Sequence, residues 1–168
     1  MSKNKSPSGS PSRAASRQAA ATGETREFVT ITVGNQLCGI DVLKVQDVLG
    51  PQKITPVPLA PPEVSGLLNL RGRIVTAIDL RRRLGLEKRP EGDDGMSVVV
   101  DHGGELYSLT VDSVGEVLRF PVEQFERNPA TLDPLWRRFS EGVYRLEAGL
   151  LVVLNDASLL DYGKQAAA

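Results

Sequence analysis

The sequence predicts a mainly β chain made of two matched halves, each folding as a small barrel-like module with short helices. Three observations predict it. Short β-branched and apolar runs recur with turn residues between them. The pattern of the first half returns in the second at a nearly fixed spacing. About five short strands per half leave edges that closure into a barrel removes.

Strand signals begin at Phe28, where Phe28-Val29-Thr30-Ile31-Thr32-Val33 precedes a hairpin turn at Gly34-Asn35-Gln36. Leu37 to Ile40 resumes the strand, Asp41 to Lys44 fits a brief helical turn, and Val45 to Leu49 fits a third strand. Pro51, Pro56, Pro58, Pro61 and Pro62 then exclude regular structure over much of 51–62. Gly66 to Leu80 reads as a strand pair turning at Arg71-Gly72. Strands return at Val98 to Val100, Leu106 to Val111 and Val114 to Phe120. Asp133-Pro134 opens a short helix over 132–140, because proline suits a first helical position. Tyr144 to Leu154 is a further hairpin turning at Glu147-Ala148-Gly149, and Asn155 caps a last helix through Leu160.

The repeat is the most informative feature. Displaced by 69 residues, Val29 to Cys38 falls on Val98 to Tyr107, and Val45, Asp47, Val48 and Leu49 fall on Val114, Glu116, Val117 and Leu118. Displaced by 76, Gly66, Leu70, Ile74, Ile78 and Leu84 fall on Gly142, Leu146, Leu150, Leu154 and Leu160. Turn glycines and acidic positions agree along with the apolar ones. The halves run about 27–90 and 96–163 within a folded unit of 27–163.

Composition bounds the rest. Residues 1–26 hold no large apolar side chain after Met1 and carry Lys3, Lys5, Arg13, Arg17 and Arg26 against Glu24 alone. They are expected to be a disordered basic tail, and 164–168 a frayed one. The tail is +4, which leaves −5 on the remainder of a chain whose net charge is −1. That balance argues against a basic nucleic-acid face on the folded part. No apolar run approaches membrane-spanning length, and the N-terminus lacks the apolar segment of a secretory signal. A cytoplasmic protein with no direct membrane insertion is expected.

Catalysis needs converging reactive groups, and the sequence offers few. His102, the single histidine, is placed in the turn Asp101-His102-Gly103-Gly104 and read as solvated. Cys38, the single cysteine, lies in strand pattern and reads as a small buried apolar residue. One of each cannot build the common zinc sites, so no metal, no cofactor and no catalytic residue is expected. Asp93-Asp94 reads as a solvated linker between the halves. No phosphate-cradling or nucleophile-elbow motif is present.

The sharpest segment is Val64-Ser65-Gly66-Leu67-Leu68-Asn69-Leu70-Arg71-Gly72, continuing through Arg73 to Leu80. Arg71 stands at a turn beside a glycine free to take a positive φ, a place that also suits a merely solvated arginine. Together with GIDVLKVQDV and LLVVLNDASLL, the stretch PPEVSGLLNLRGRIVTAIDL resembles the CheW family of chemotaxis coupling proteins. The likeness covers Glu27 to about Leu160, and Asn-Leu-Arg-Gly followed by Ile-Asp-Leu is its strongest motif.

That resemblance implies two intertwined five-stranded SH3-like barrels and a non-catalytic adaptor role. One surface would bind the cytoplasmic tips of chemoreceptors, and another the related regulatory domain of a CheA-type histidine kinase, at membrane-associated receptor arrays. By position, receptor binding falls to Val45, Asp47, Gly66 and Arg71, with Val114 and Val117 on the second barrel, in a groove between the barrels. Val45, Val114 and Val117 suit a core role equally. Asp47 stands where glutamate is frequent, keeping the charge with a shorter reach that puts a direct salt bridge in doubt. Thr76 stands where proline is frequent. Kinase binding falls to Ile40, Asp41 and Val42. The length leaves no room for a fused phospho-receiver domain, so a single-module adaptor is expected. The alternatives are a coupling protein of a non-flagellar pathway governing pili or development, a small-barrel nucleic-acid binder using the basic tail, and an enzyme using carboxylates.

Overall fold

In the computed structural model of the chain, which describes residues 23–161, the strands form two five-stranded sheets. They are β1 (Thr25–Val33), β2 (Gln36–Asp41), β3 (Val45–Leu49), β4 (Val64–Leu70), β5 (Arg73–Asp79), β6 (Met96–His102), β7 (Glu105–Val111), β8 (Ser113–Pro121), β9 (Ser140–Leu146) and β10 (Gly149–Leu154). Short helices α1 (Leu80–Arg83), α2 (Pro134–Phe139) and α3 (Asp156–Leu159) follow β5, precede β9 and follow β10. The expected tails over 1–22 and 164–168 lie outside the described residues. Within 23–26, Thr25 and Arg26 already belong to β1 and pair with Pro121 and Phe120. Backbone pairing needs no apolar side chain, which is why composition set that boundary two residues late.

The first sheet runs β8-β1-β2-β10-β9 and the second β3-β6-β7-β5-β4. Each therefore takes a hairpin from one half and three strands from the other. The halves of the sequence are not the sheets of the structure; they exchange their first hairpins. The exchange follows the repeat residue for residue. Val45 pairs with Val100 as Val114 pairs with Ile31, and Val48 with Val98 as Val117 with Val29. The parallel junctions agree too, Thr76 beside Tyr107 and Val152 beside Cys38. Among the described residues no ladder joins β3 to β4 or β8 to β9, so each sheet curls without closing.

Local chemistry repeats with the topology. Gly66 and Gly142 sit at register shifts of β4 and β9 with φ of 149° and 156°. A side chain at Gly66 would strike the Thr55 carbonyl, and one at Gly142 would stand 2.5 Å from that of Glu126. Those carbonyls belong to Thr55 and Glu126, which bridge to Leu67 and Val143 and so cover both edge strands. Asp79 and Asn155 cap α1 and α3 by accepting from Arg81 N and Ser158 N.

Three apolar clusters hold the fold. The largest joins the sheets, with Ile31, Val33 and Val152 from the first against Ile78, Val98 and Val111 from the second, and with Trp136 and Phe139 of α2. The second sheet encloses Leu68, Val75, Ala77, Val99 and Leu106. The first encloses Phe28, Tyr144, Leu151 and Val153, with Phe120 and Phe125 against them. Burying one such side chain contributes roughly 1.5–3 kcal/mol.

Candidate partner-binding surface

The Asn-Leu-Arg-Gly stretch forms the two-residue turn between β4 and β5. Arg71 and Gly72 both take positive φ, 52° and 85°. Such turns match the right-handed twist of the flanking strands, but a non-glycine residue in that region is strained by roughly 1–2 kcal/mol. Asn69 supports it by accepting from the Gly72 amide at 2.9 Å. The turn thus holds Arg71 outward, and its side chain is 75% exposed.

Across the open seam of the second sheet stands β3. Its alternation points Val45, Asp47 and Leu49 inward and Gln46 and Val48 outward. Asp47 Oδ2 lies 3.0 Å from Arg71 Nη1. The ion pair links the two edge strands where no ladder does. The shorter reach of aspartate at this position is sufficient for the bridge, contrary to the doubt its length raised. Beyond the turn, Ile74 faces out opposite Asn69 and is 64% exposed. With Leu67, Thr55 and Lys53 it lines an open cleft of about 550 Å³.

The other positions separate by burial. Val45 and Val114 are half-buried counterparts packed on the cluster that joins the sheets. Val117 is 51% exposed on β8, and its counterpart Val48 is exposed on β3. Gly66 is buried and carries no side chain; its place is set by the Thr55 carbonyl, so it shapes β4 and presents no contact group.

Ile40 is 3% exposed and belongs to the core, so a contact role for its side chain does not fit. Asp41 accepts from Leu43 N at 2.9 Å and from Arg26 Nη2 at 3.2 Å, which caps the 3₁₀ turn Val42–Lys44. That turn pushes Leu43 into solvent at 85% exposure. Leu43 was missed because a short helical turn gives no alternation to mark which side chain faces out. Ile74 was missed because its outward facing depends on the register with Asn69.

His102 is also placed differently from its expected solvated turn. It ends β6, half-buried, with Nδ1 3.0 Å from Asp156 Oδ2, and Lys44 Nζ approaches the same oxygen at 3.7 Å. The partner lies 54 residues away, beyond any local pattern. Burial pushes the Cys38 thiol well above its ordinary range, in keeping with a buried apolar role. Among the described residues no group of three histidine, cysteine or acidic side chains is placed to hold a metal, and no helix is long and apolar enough to cross a membrane. Exposed apolar side chains beside a few fixed charges suit docking of another protein.

Residues 27–163 match the family model described as CheW-like domain. Chemotaxis protein CheW of Klebsiella aerogenes is 32% identical over 140 residues, covering 82% of this chain and 84% of that one. Protein PilI of Pseudomonas aeruginosa is 32% identical over 109 residues, covering 65% of this chain and 61% of that one. The crystal structure of the scaffolding protein TtCheW from Thermoanaerobacter tengcongensis superposes with a TM-score of 0.73 at 28% identity, covering 82% of this chain and 94% of that one.

Proposed function

This chain belongs to the CheW family, and from that premise we propose that it couples the cytoplasmic tips of chemoreceptors to the regulatory domain of a CheA-type histidine kinase. As a member of that family it is a scaffold and not an enzyme. On this reading it works in the cytoplasm and is recruited to membrane-associated receptor arrays. The observation that carries the proposal is the outward Arg71, held by a strained turn and the Asn69 hydrogen bond beside exposed Ile74.

A receptor helix would lay apolar side chains against the surface carrying Val117 and the half-buried Val45 and Val114, while Arg71 and Asp47 set its register. Area supplies affinity in such grooves, and charge supplies orientation. The kinase domain would take the separate face of Asp41 and Val42, with Leu43 as its apolar anchor. Hot spots in interfaces of this kind are few and central, so most other surface changes are expected to be silent.

The test is binding by the purified chain to a receptor cytoplasmic fragment and to the kinase regulatory domain. Capture of both supports the reading, and failure of the folded chain to bind either one contradicts it. A second reading keeps the adaptor role and changes the pathway to a non-flagellar chemosensory system. The 32% identity to Protein PilI favours it. Deleting the gene separates the two readings by whether swimming or surface motility is lost.

A further inference from the structure

The turn Val42–Lys44 departs from the repeat. Displaced by 69 residues, its counterparts are Val111, Asp112 and Ser113. In that second place the middle residue is tied down: Asp112 accepts from Gly34 N at 2.7 Å, from Arg81 Nη2 at 2.8 Å and from Arg89 Nε at 3.0 Å. In the first place the middle residue is Leu43, which stands in solvent. One exposed leucine calls for no explanation by itself. The groups arranged around this one do.

The turn is held at both ends. At its start, Asp41 accepts from Leu43 N at 2.9 Å and from Arg26 Nη2 at 3.2 Å. Arg26 is fixed in turn: its guanidinium carbon lies 4.8 Å from the ring centre of Phe28 and 5.9 Å from that of Phe125, and Nη2 lies 3.5 Å from Glu141 Oε1. At the other end, Lys44 Nζ lies 3.7 Å from Asp156 Oδ2, and His102 Nδ1 holds the same oxygen at 3.0 Å. Groups from β1, β9, β6 and α3 thus converge on a turn of three residues.

The other half has no such set. By the spacings of 69 and 76, Arg26, Asp41, Lys44, His102 and Asp156 have as counterparts Gly95, Thr110, Ser113, Val33 and Leu80, none of them charged. The same strands form in both halves, so the topology does not require these groups. Partly exposed ion pairs contribute little to stability. What they fix here is the direction of Leu43.

We propose that Arg26 and Asp156 are positioning residues for partner binding, clamping the turn at its two ends so that Leu43 is held ready for an apolar pocket of the kinase regulatory domain. The proposal rests on the reading of the Asp41 and Val42 face as the kinase face. Holding the turn in advance removes the cost of ordering it at each encounter.

The experiment measures amide exchange and backbone relaxation at Leu43, with kinase-domain and receptor-fragment affinities, in the natural chain, Arg26→Gln, Asp156→Asn, Lys44→Met and the double variant of the last two. In the natural chain Leu43 should be as ordered as β2. Each single variant should speed exchange at Leu43 and weaken kinase binding several-fold, with receptor binding unchanged. Lys44→Met and Asp156→Asn break one pair, so together they should lose no more than either alone. Additive losses would overturn the proposal, as would a mobile Leu43 in the natural chain or a loosened Leu43 with undiminished kinase affinity. A natural chain that keeps Leu43 ordered yet binds no kinase domain would overturn the underlying reading of the face instead. Should Arg26→Gln melt early, the Lys44 and Asp156 variants decide.

Discussion

The two sheets share a topology and a register, yet they differ in what fills them and in how their seams are held. The first encloses rings: Tyr144 and Phe120 stack at 4.5 Å, and Phe28 and Phe125 lie against Tyr144 at 5.7 and 5.4 Å. The second has Leu68 where Tyr144 stands, Val75 for Leu151, Ala77 for Val153 and the small Ser97 for Phe28. At the seams the balance reverses. Asp47 and Arg71 bridge the second, while their counterparts Glu116 and Glu147 are like charges that cannot pair. One module carries the aromatic cluster, and the other carries the ion pair across its seam. The difference teaches that a duplicated frame can vary its filling and its seam charges independently without any change of fold.

The largest effect expected from this contrast is in the aromatic cluster. Tyr144→Ala should cost about 3–5 kcal/mol, because a ring is deleted from a packed site whose neighbours can only partly collapse. Leu68→Ala at the matched place should cost less, about 2–3 kcal/mol. Denaturant melts of the two variants check the order, and equal losses would break the comparison. A similar loss is expected at Gly66→Ala, where the new methyl would meet the Thr55 carbonyl at a φ that side chains avoid.

Next in size is the Asp112 cluster. Asp112→Ala should cost about 3 kcal/mol, since it leaves Arg81 and Arg89 partly buried without their shared carboxylate. Burial pushes the Asp112 carboxyl up, but the Arg81 guanidinium, the Gly34 amide and Arg89 outweigh it and hold it below the usual carboxylate range. A folded-state pKa held below its unfolded value contributes stability that is present above the unfolded pKa and lost as pH falls through the folded one. Acid melts of the natural chain should therefore steepen below about pH 4. In Asp112→Asn that part of the dependence should shrink.

The smallest effect on stability is expected at Arg71, where the proposed effect on binding is greatest. Arg71→Glu breaks an exposed pair and should cost under about 1 kcal/mol. A larger cost would assign the seam bridge to the fold.

Much of this was legible in the sequence because turns and alternation are local. Gly34, Gly103 and Asn155 stand where the repeat puts them, and the helix at Pro134 begins at its proline. The exchange of hairpins was not legible from the repeat: β1 and β6 carry the same pattern, so the spacing is identical whichever hairpin joins which three strands. Long-range pairs were also hidden. Asp47 with Arg71 depends on how the edges of a curled sheet meet, and His102 with Asp156 on where α3 lies against the end of β6, neither of which a nearby residue encodes. Resemblance marked Ile40 and Gly66 by their place in a motif, and both are buried in the fold.

The central claim is that two separate faces of one scaffold bind two proteins, and binding by the Arg71→Glu variant tests it most directly. With receptor fragment and kinase regulatory domain titrated separately, the account predicts that receptor affinity falls at least about tenfold, a change of 1.4 kcal/mol, while kinase affinity and melting stay unchanged. Undiminished receptor binding, or equal loss of both partners, would contradict it.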